Sequence, residues 1–161
     1  MVAVLDTGVY GAHRDLDSQI VTGGLHLCHR VDPDGHGTHV AGIVAAEHVQ
    51  KTSANPNPAN QDTAGVAPDA TILPIRVLGR AGCDASMGPT EAVAAAVNAG
   101  ARVINMSLIW GTGHRSPRDQ NVGGIPIESD KHQDTFEAAL RAASMLGVVS
   151  VAAAGNCGMR A

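Results

Sequence analysis

Aromatic side chains are almost missing from this chain. Its 161 residues include one Trp, one Tyr and one Phe, 2% of the total. That leaves no platform for a nucleic-acid module built on base stacking. Positive charge is not in excess either: 11 Lys and Arg face 15 Asp and Glu, a net charge of −4. No basic footprint is available for a phosphate backbone, so nucleic acid is not an expected partner. Three cysteines are too few for a disulfide-built fold, and their odd number leaves one without a partner in the chain. No apolar run approaches the ~20 residues of a membrane-spanning helix, so no membrane is expected as a partner. The longest candidate, Val148–Ala154, has the length of a core strand. No charged, apolar leader precedes Val2–Leu5, and no internal repeat is visible.

What is present is the composition of one globular domain, 44% apolar and 16% charged. Val2–Asp6 is a short apolar run ending in a carboxylate, as in a parallel strand whose C-terminal end carries a functional group. Thr38–Val49 has small apolar residues at helical spacing, and Gly42 in its middle suggests close packing on a neighbour. Lys51–Gly65 is polar and reads as an exposed loop. Thr71–Leu78 is strand-like. Ser86–Asn98 is helical, with Pro89 in its first turn and Gly100 closing it. Arg102–Leu108 is a strand, and Trp110–His132 a second long loop. Asp134–Leu146 reads as a helix with Asp134 as N-cap, Glu137 at the third helical position and Gly147 past its end. Val148–Ala153 is the last strand, followed by turn residues. This alternation predicts an α/β fold with right-handed crossovers and a parallel sheet. Both ends of the chain look cut, which suggests a fragment. An exposed apolar face at the last strand would then favour association.

The chemistry-bearing residues lie where strands end and helices begin. Asp6-Thr-Gly at a strand end has several readings: an aspartic-protease carboxylate, a phosphate-loop carboxylate of an actin-like ATPase, or a plain polar terminus. His36-Gly-Thr-His-Val-Ala-Gly adds a histidine at the mouth of a helix. The helix N-terminus disfavours imidazolium, whereas a nearby carboxylate orients the ring and stabilises its charged form. A base that accepts and returns one proton needs that balance. The small residues after His36 would let the helix approach the sheet, which puts the ring within hydrogen-bond reach of Asp6. His39, one turn later, reads as a structural, hydrogen-bonded neighbour.

Five segments together resemble the subtilisin-like serine peptidase family. Val2-Ala-Val-Leu-Asp6-Thr-Gly-Val9 is similar to its Asp motif, and His36-Gly-Thr-His-Val-Ala-Gly42 to its His motif. Gly65-Val-Ala-Pro-Asp-Ala70 with Val77-Leu-Gly79 resembles the approach to its substrate-binding strand. Val103-Ile-Asn-Met-Ser-Leu108 resembles its next strand. Val148-Val-Ser-Val-Ala-Ala-Ala-Gly-Asn156 resembles the segment ending in its oxyanion asparagine. The resemblance implies a three-layer fold, a parallel sheet flanked by helices. It would be incomplete at the C-terminus and would lack the family's N-terminal extension, with residues 1–161 as part of a catalytic domain.

The resemblance also implies roles. Asp6 would orient His36, His36 would act as base and then acid, and Asn156 would donate to the oxyanion. Leu78, Gly79 and Gly82 would form one edge for an extended polypeptide substrate bound as an added strand. Ser107, Leu108 and Ile109 would form the other, and Ala153, Ala154 and Gly155 would complete the pocket. No cofactor is implied for the chemistry. Relatives of this kind are mostly secreted, which implies an extracytoplasmic parent protein.

Departures matter as much. The family's Gly-Thr-Ser-Met-Ala nucleophile motif is absent, and none of the eight serines stands in that context. The fragment is therefore expected to be inactive alone. Ile109-Trp110 occupy positions where the family has glycines, which would narrow the substrate groove. Asp15 matches a position that ligates calcium in some relatives, but one carboxylate is not a site for an ion wanting six to eight oxygens. A rival of another class is a zinc module, since Cys28, His29, His36 and His39 offer four ligands within twelve residues. A non-catalytic protein-interaction module is a third reading.

Overall fold

The computed structural model describes residues 1–21, 30–47, 64–78, 87–108 and 130–154, of which 130–133 by backbone alone. Seven elements alternate along the chain: β1 (Val2–Asp6), α1 (His36–Ala45), β2 (Ile72–Arg76), α2 (Pro89–Asn98), β3 (Val103–Met106), α3 (Asp130–Met145) and β4 (Val149–Ala152). The strands form one parallel sheet in the order β2-β1-β3-β4. β1 is central, and its register sets Val2 against both Ile72 and Val103. Pro74, which cannot donate to a ladder, sits in β2 at the margin of this order, where sheets tolerate proline.

Successive side chains of a strand point to opposite faces, and in β1 and β2 both faces are covered. Ala3, Leu5, Leu73, Ile75, Ile104 and Met106 join Ala92, Val93 and Ala96 of α2 and Ala143 of α3 in one core. Val4 and Ile72 join Val9, Leu16, Ile20 and, from α1, Val40, Ala41 and Ala45 in the other. Three layers result: α1, the sheet, then α2 with α3. Leu5, Ile75 and Ile104 are fully excluded from water, each worth about 1.5–3 kcal/mol relative to exposure.

Helix ends follow the sequence in part. Pro89 opens α2 behind Gly88. Gly100, at φ 83°, ends it by donating to Val97 O, while Ala101 donates to Ala96 O. Gly147 repeats this device after α3, with bonds from Gly147 to Ser144 O and from Val148 to Ala143 O. Three expectations are corrected. α3 begins at Asp130, so Asp134 is an interior residue and not the N-cap, and Glu137 pairs with Arg141 one turn on. α1 runs His36–Ala45 rather than 38–49, because the backbone turns extended at Ala46. Gly42 packs closely on none of the described residues: a Cβ there would meet none of their atoms within 4 Å. All four residues of β4 are exposed, Val149 at 58% and Val151 at 48%. No helix among the described residues is long and apolar enough to cross a membrane.

Candidate active site

The C-terminal end of β1 and the N-terminal end of α1 meet at one point. Asp6 closes β1 with no exposed surface. Its Oδ1 lies 2.7 Å from Nδ1 of His36, the first residue of α1, and accepts the Thr7 N–H at 2.7 Å. No other described residue bonds to Oδ2. The His36 ring is 37% exposed, so the pair has a buried carboxylate end and an open imidazole end. A carboxylate on Nδ1 selects the tautomer that carries the proton there, leaving Nε2 free to accept one. The expected approach of Asp6 and His36 is thus what the fold provides.

Gly37 makes this approach possible. A Cβ at this position would lie 2.0 Å from Gly8 O and 3.1 Å from the Asp6 Cβ. The helix start therefore rests directly on the turn after β1. This is the close packing that the sequence placed at Gly42.

The first N–H groups of a helix have no partner within it, and here two side chains from elsewhere supply them. Thr7 Oγ1 accepts from Gly37 N at 3.0 Å and donates to Asp32 Oδ1 at 2.8 Å. Asp32 Oδ1 also accepts from Gly35 N at 2.9 Å and Asp34 N at 3.3 Å. Its Oδ2 accepts from Thr38 N at 2.8 Å and Thr38 Oγ1 at 2.6 Å. Partial burial alone would raise the Asp32 pKa. The hydrogen bonds from Thr38, Gly35 and Thr7 outweigh it and hold the carboxyl below its ordinary value. Sequence reasoning missed this carboxylate. The available signal was an Asp three residues before a glycine that opens a helix.

His39, expected to be a structural, hydrogen-bonded neighbour, is exposed on α1. Among the expected substrate-contact residues, Leu78 and Leu108 have buried side chains. Leu78 N and Val77 N both donate to Asp6 O, at 3.1 and 2.9 Å, which ties that segment to the strand bearing the carboxylate. Ser107 is half-buried and accepts from Asn105 Nδ2 at 3.0 Å. Ala153 and Ala154 are exposed, and Ala153 N donates to Met106 O at 3.1 Å. Gly79, Gly82, Ile109, Gly155 and Asn156 lie outside the described residues, as do Cys28 and His29 of the zinc reading. Asp15 pairs with Arg14 at 3.1 Å. Among the described residues no group of three or more His, Cys, Asp or Glu is arranged to hold a metal ion.

The structure is a parallel α/β protein in which a buried carboxylate at a strand end holds an imidazole at a helix start. The profile of the subtilase family matches residues 1–160, and the chain belongs to that family. The thermophilic serine proteinase of Bacillus sp. strain AK1 is 37% identical over 98% of this chain and 33% of its own length. Thermitase of Thermoactinomyces vulgaris is 34% identical over 98% of the chain and 47% of its own length. The structure of sphericase matches with a TM-score of 0.60 at 28% identity, covering 99% of this chain and 46% of that one. The chain thus spans between a third and about half of these relatives.

Proposed function

We propose that residues 1–161 are the Asp- and His-bearing part of a serine endopeptidase catalytic domain, and that this chain alone does not hydrolyse peptides. The observation that carries the reading is the 2.7 Å contact between buried Asp6 and half-open His36, in a chain of the subtilase family. Asp6 orients the imidazole and stabilises its charged form. His36 takes the proton of a serine hydroxyl and returns it to the leaving amine. Asn156 donates to the oxyanion, a contribution of about 10²–10³ in rate as measured within this family.

The polypeptide substrate pairs as an extended strand between two edges, Leu78, Gly79 and Gly82 on one side and Ser107, Leu108 and Ile109 on the other. Ala153, Ala154 and Gly155 line the pocket for the residue before the cleaved bond. The buried side chains of Leu78 and Leu108 support recognition through main-chain groups. No metal or cofactor takes part in this chemistry. The protein containing this chain acts outside the cytoplasm, by likeness to its relatives.

No serine here stands in the nucleophile context. Loss of the serine alone costs about 10⁶ in turnover within this family, so peptide hydrolysis by this chain stays at background. A polypeptide carrying residues 1–161 together with the family's serine segment cleaves a peptide substrate, and His36→Ala abolishes that cleavage. Undiminished cleavage by the His36→Ala variant would overturn the assignment.

A further inference from the structure

We infer that Asp32 is a positioning residue for His36: its carboxylate locks the hydroxyl of Thr7 and the first turn of α1 together, and so holds the imidazole against Asp6. This rests on the Asp6–His36 reading and adds a third residue to it.

The connections form a closed circuit. Asp6 Oδ1 contacts His36 Nδ1, the chain continues to Gly37, and Gly37 N donates to Oγ1 of Thr7, the residue after Asp6. The Thr7 hydroxyl must keep a lone pair toward Gly37, so its single proton needs an acceptor elsewhere. Asp32 Oδ1 is that acceptor, at 2.8 Å. On the other side of the carboxylate, Oδ2 takes both the N–H and the hydroxyl of Thr38, two residues past His36. Asp32 therefore grips the chain neighbours of both members of the pair while touching neither. A negative group is also favoured there, because the N-terminus of α1 carries partial positive charge.

Only a carboxylate serves this position. Oδ1 accepts from Thr7, Asp34 and Gly35, and Oδ2 from Thr38 twice. An amide of the same shape has one accepting end, so its NH₂ would face either the Thr38 donors or the Gly35 N–H. The lowered pKa of Asp32 agrees with a group built to stay ionised.

A plain helix cap and a positioning residue differ in what their loss does to the folded molecule. The test is ring N–H NMR of the 161-residue chain labelled with ¹⁵N-histidine, with far-UV circular dichroism as the check of folding. The parent chain should give a downfield ring N–H proton that disappears in Asp6→Asn. In folded Asp32→Asn that proton should be lost or broadened by exchange with water. Thr38→Val, which keeps the backbone bond to Asp32 and removes the hydroxyl, should broaden it partially.

Folded Asp32→Asn with this resonance unchanged would overturn the inference. If Asp32→Asn does not fold, an unchanged resonance in Thr38→Val overturns it. A parent chain with no Asp6-dependent resonance would overturn the underlying Asp–His reading instead, so the two failures are told apart.

Discussion

Replacing either of two glycines in α1 by alanine should have opposite effects, and the contrast tests how the site is assembled. Within a helix, Gly→Ala is worth up to about 1 kcal/mol in favour of alanine. At Gly42 a Cβ meets no atom of the described residues within 4 Å. Gly42→Ala should therefore stabilise by about that amount, raising Tm by roughly 2–4 °C for a domain of this size. At Gly37 the Cβ would stand 2.0 Å from Gly8 O, short of the 3.4 Å of ordinary contact by about 1.4 Å. The obstacle is backbone, in a turn where Gly8 holds φ 107°, so no side-chain rotation relieves it. Overpacking of this severity sits near the upper end of the usual 1–3 kcal/mol. After the helical gain, a net loss of about 2 kcal/mol remains, a Tm lower by about 4–8 °C. Relief requires α1 to move off β1, which carries His36 away from Asp6; displacement by about 1 Å can cost ~10² in rate. Thermal unfolding followed by circular dichroism measures both variants. Equal shifts for the two, or a Gly37→Ala chain as stable as the parent, would refute the close-approach argument.

Other expectations follow from the same contacts. Asp32 has a folded pKa below its ordinary 3.8; its contribution is therefore fully present above that value and is lost as pH falls through the lower folded one. Urea midpoints measured between about pH 5 and pH 2 should fall less steeply for Asp32→Asn than for the parent, and parallel curves would contradict this. Val149 and Val151 on β4, with Met145 at 88% and Leu146 at 70% exposure, leave apolar surface in water. Light scattering should show self-association that rises with concentration, and a monomer throughout would count against that surface being available. His36 is engaged by Asp6, so treatment with a zinc chelator should leave Tm unchanged; a drop would revive the metal reading.

Much of this architecture is legible in the sequence because a parallel sheet buried on both faces demands apolar runs. Val2–Leu5, Ile72–Ile75 and Val103–Met106 supply them, and each strand lies inside its expected span. Helix starts are less legible. Residues 130–133, Asp-Lys-His-Gln, carry no apolar period and read as loop, yet the helix extends back through them. Asp134 looks like a cap because Asp is favoured there, but a preference does not exclude an interior position. The Asp6–His36 pair is readable because a strand-end carboxylate and a helix-start histidine are local signals. Asp32 and Gly37 are not, since their roles depend on Thr7 and Gly8, which lie 25 and 29 residues away in sequence. Only the packing of α1 on β1 brings them together.

The most direct test of the account uses a fluorophosphonate probe, which labels a serine only when a working base activates it. The 161-residue chain should remain unlabelled. A polypeptide carrying residues 1–161 together with the family's serine segment should label stoichiometrically, and His36→Ala should prevent it. Stoichiometric labelling of the 161-residue chain itself, or labelling of the longer polypeptide that survives His36→Ala, would contradict the account.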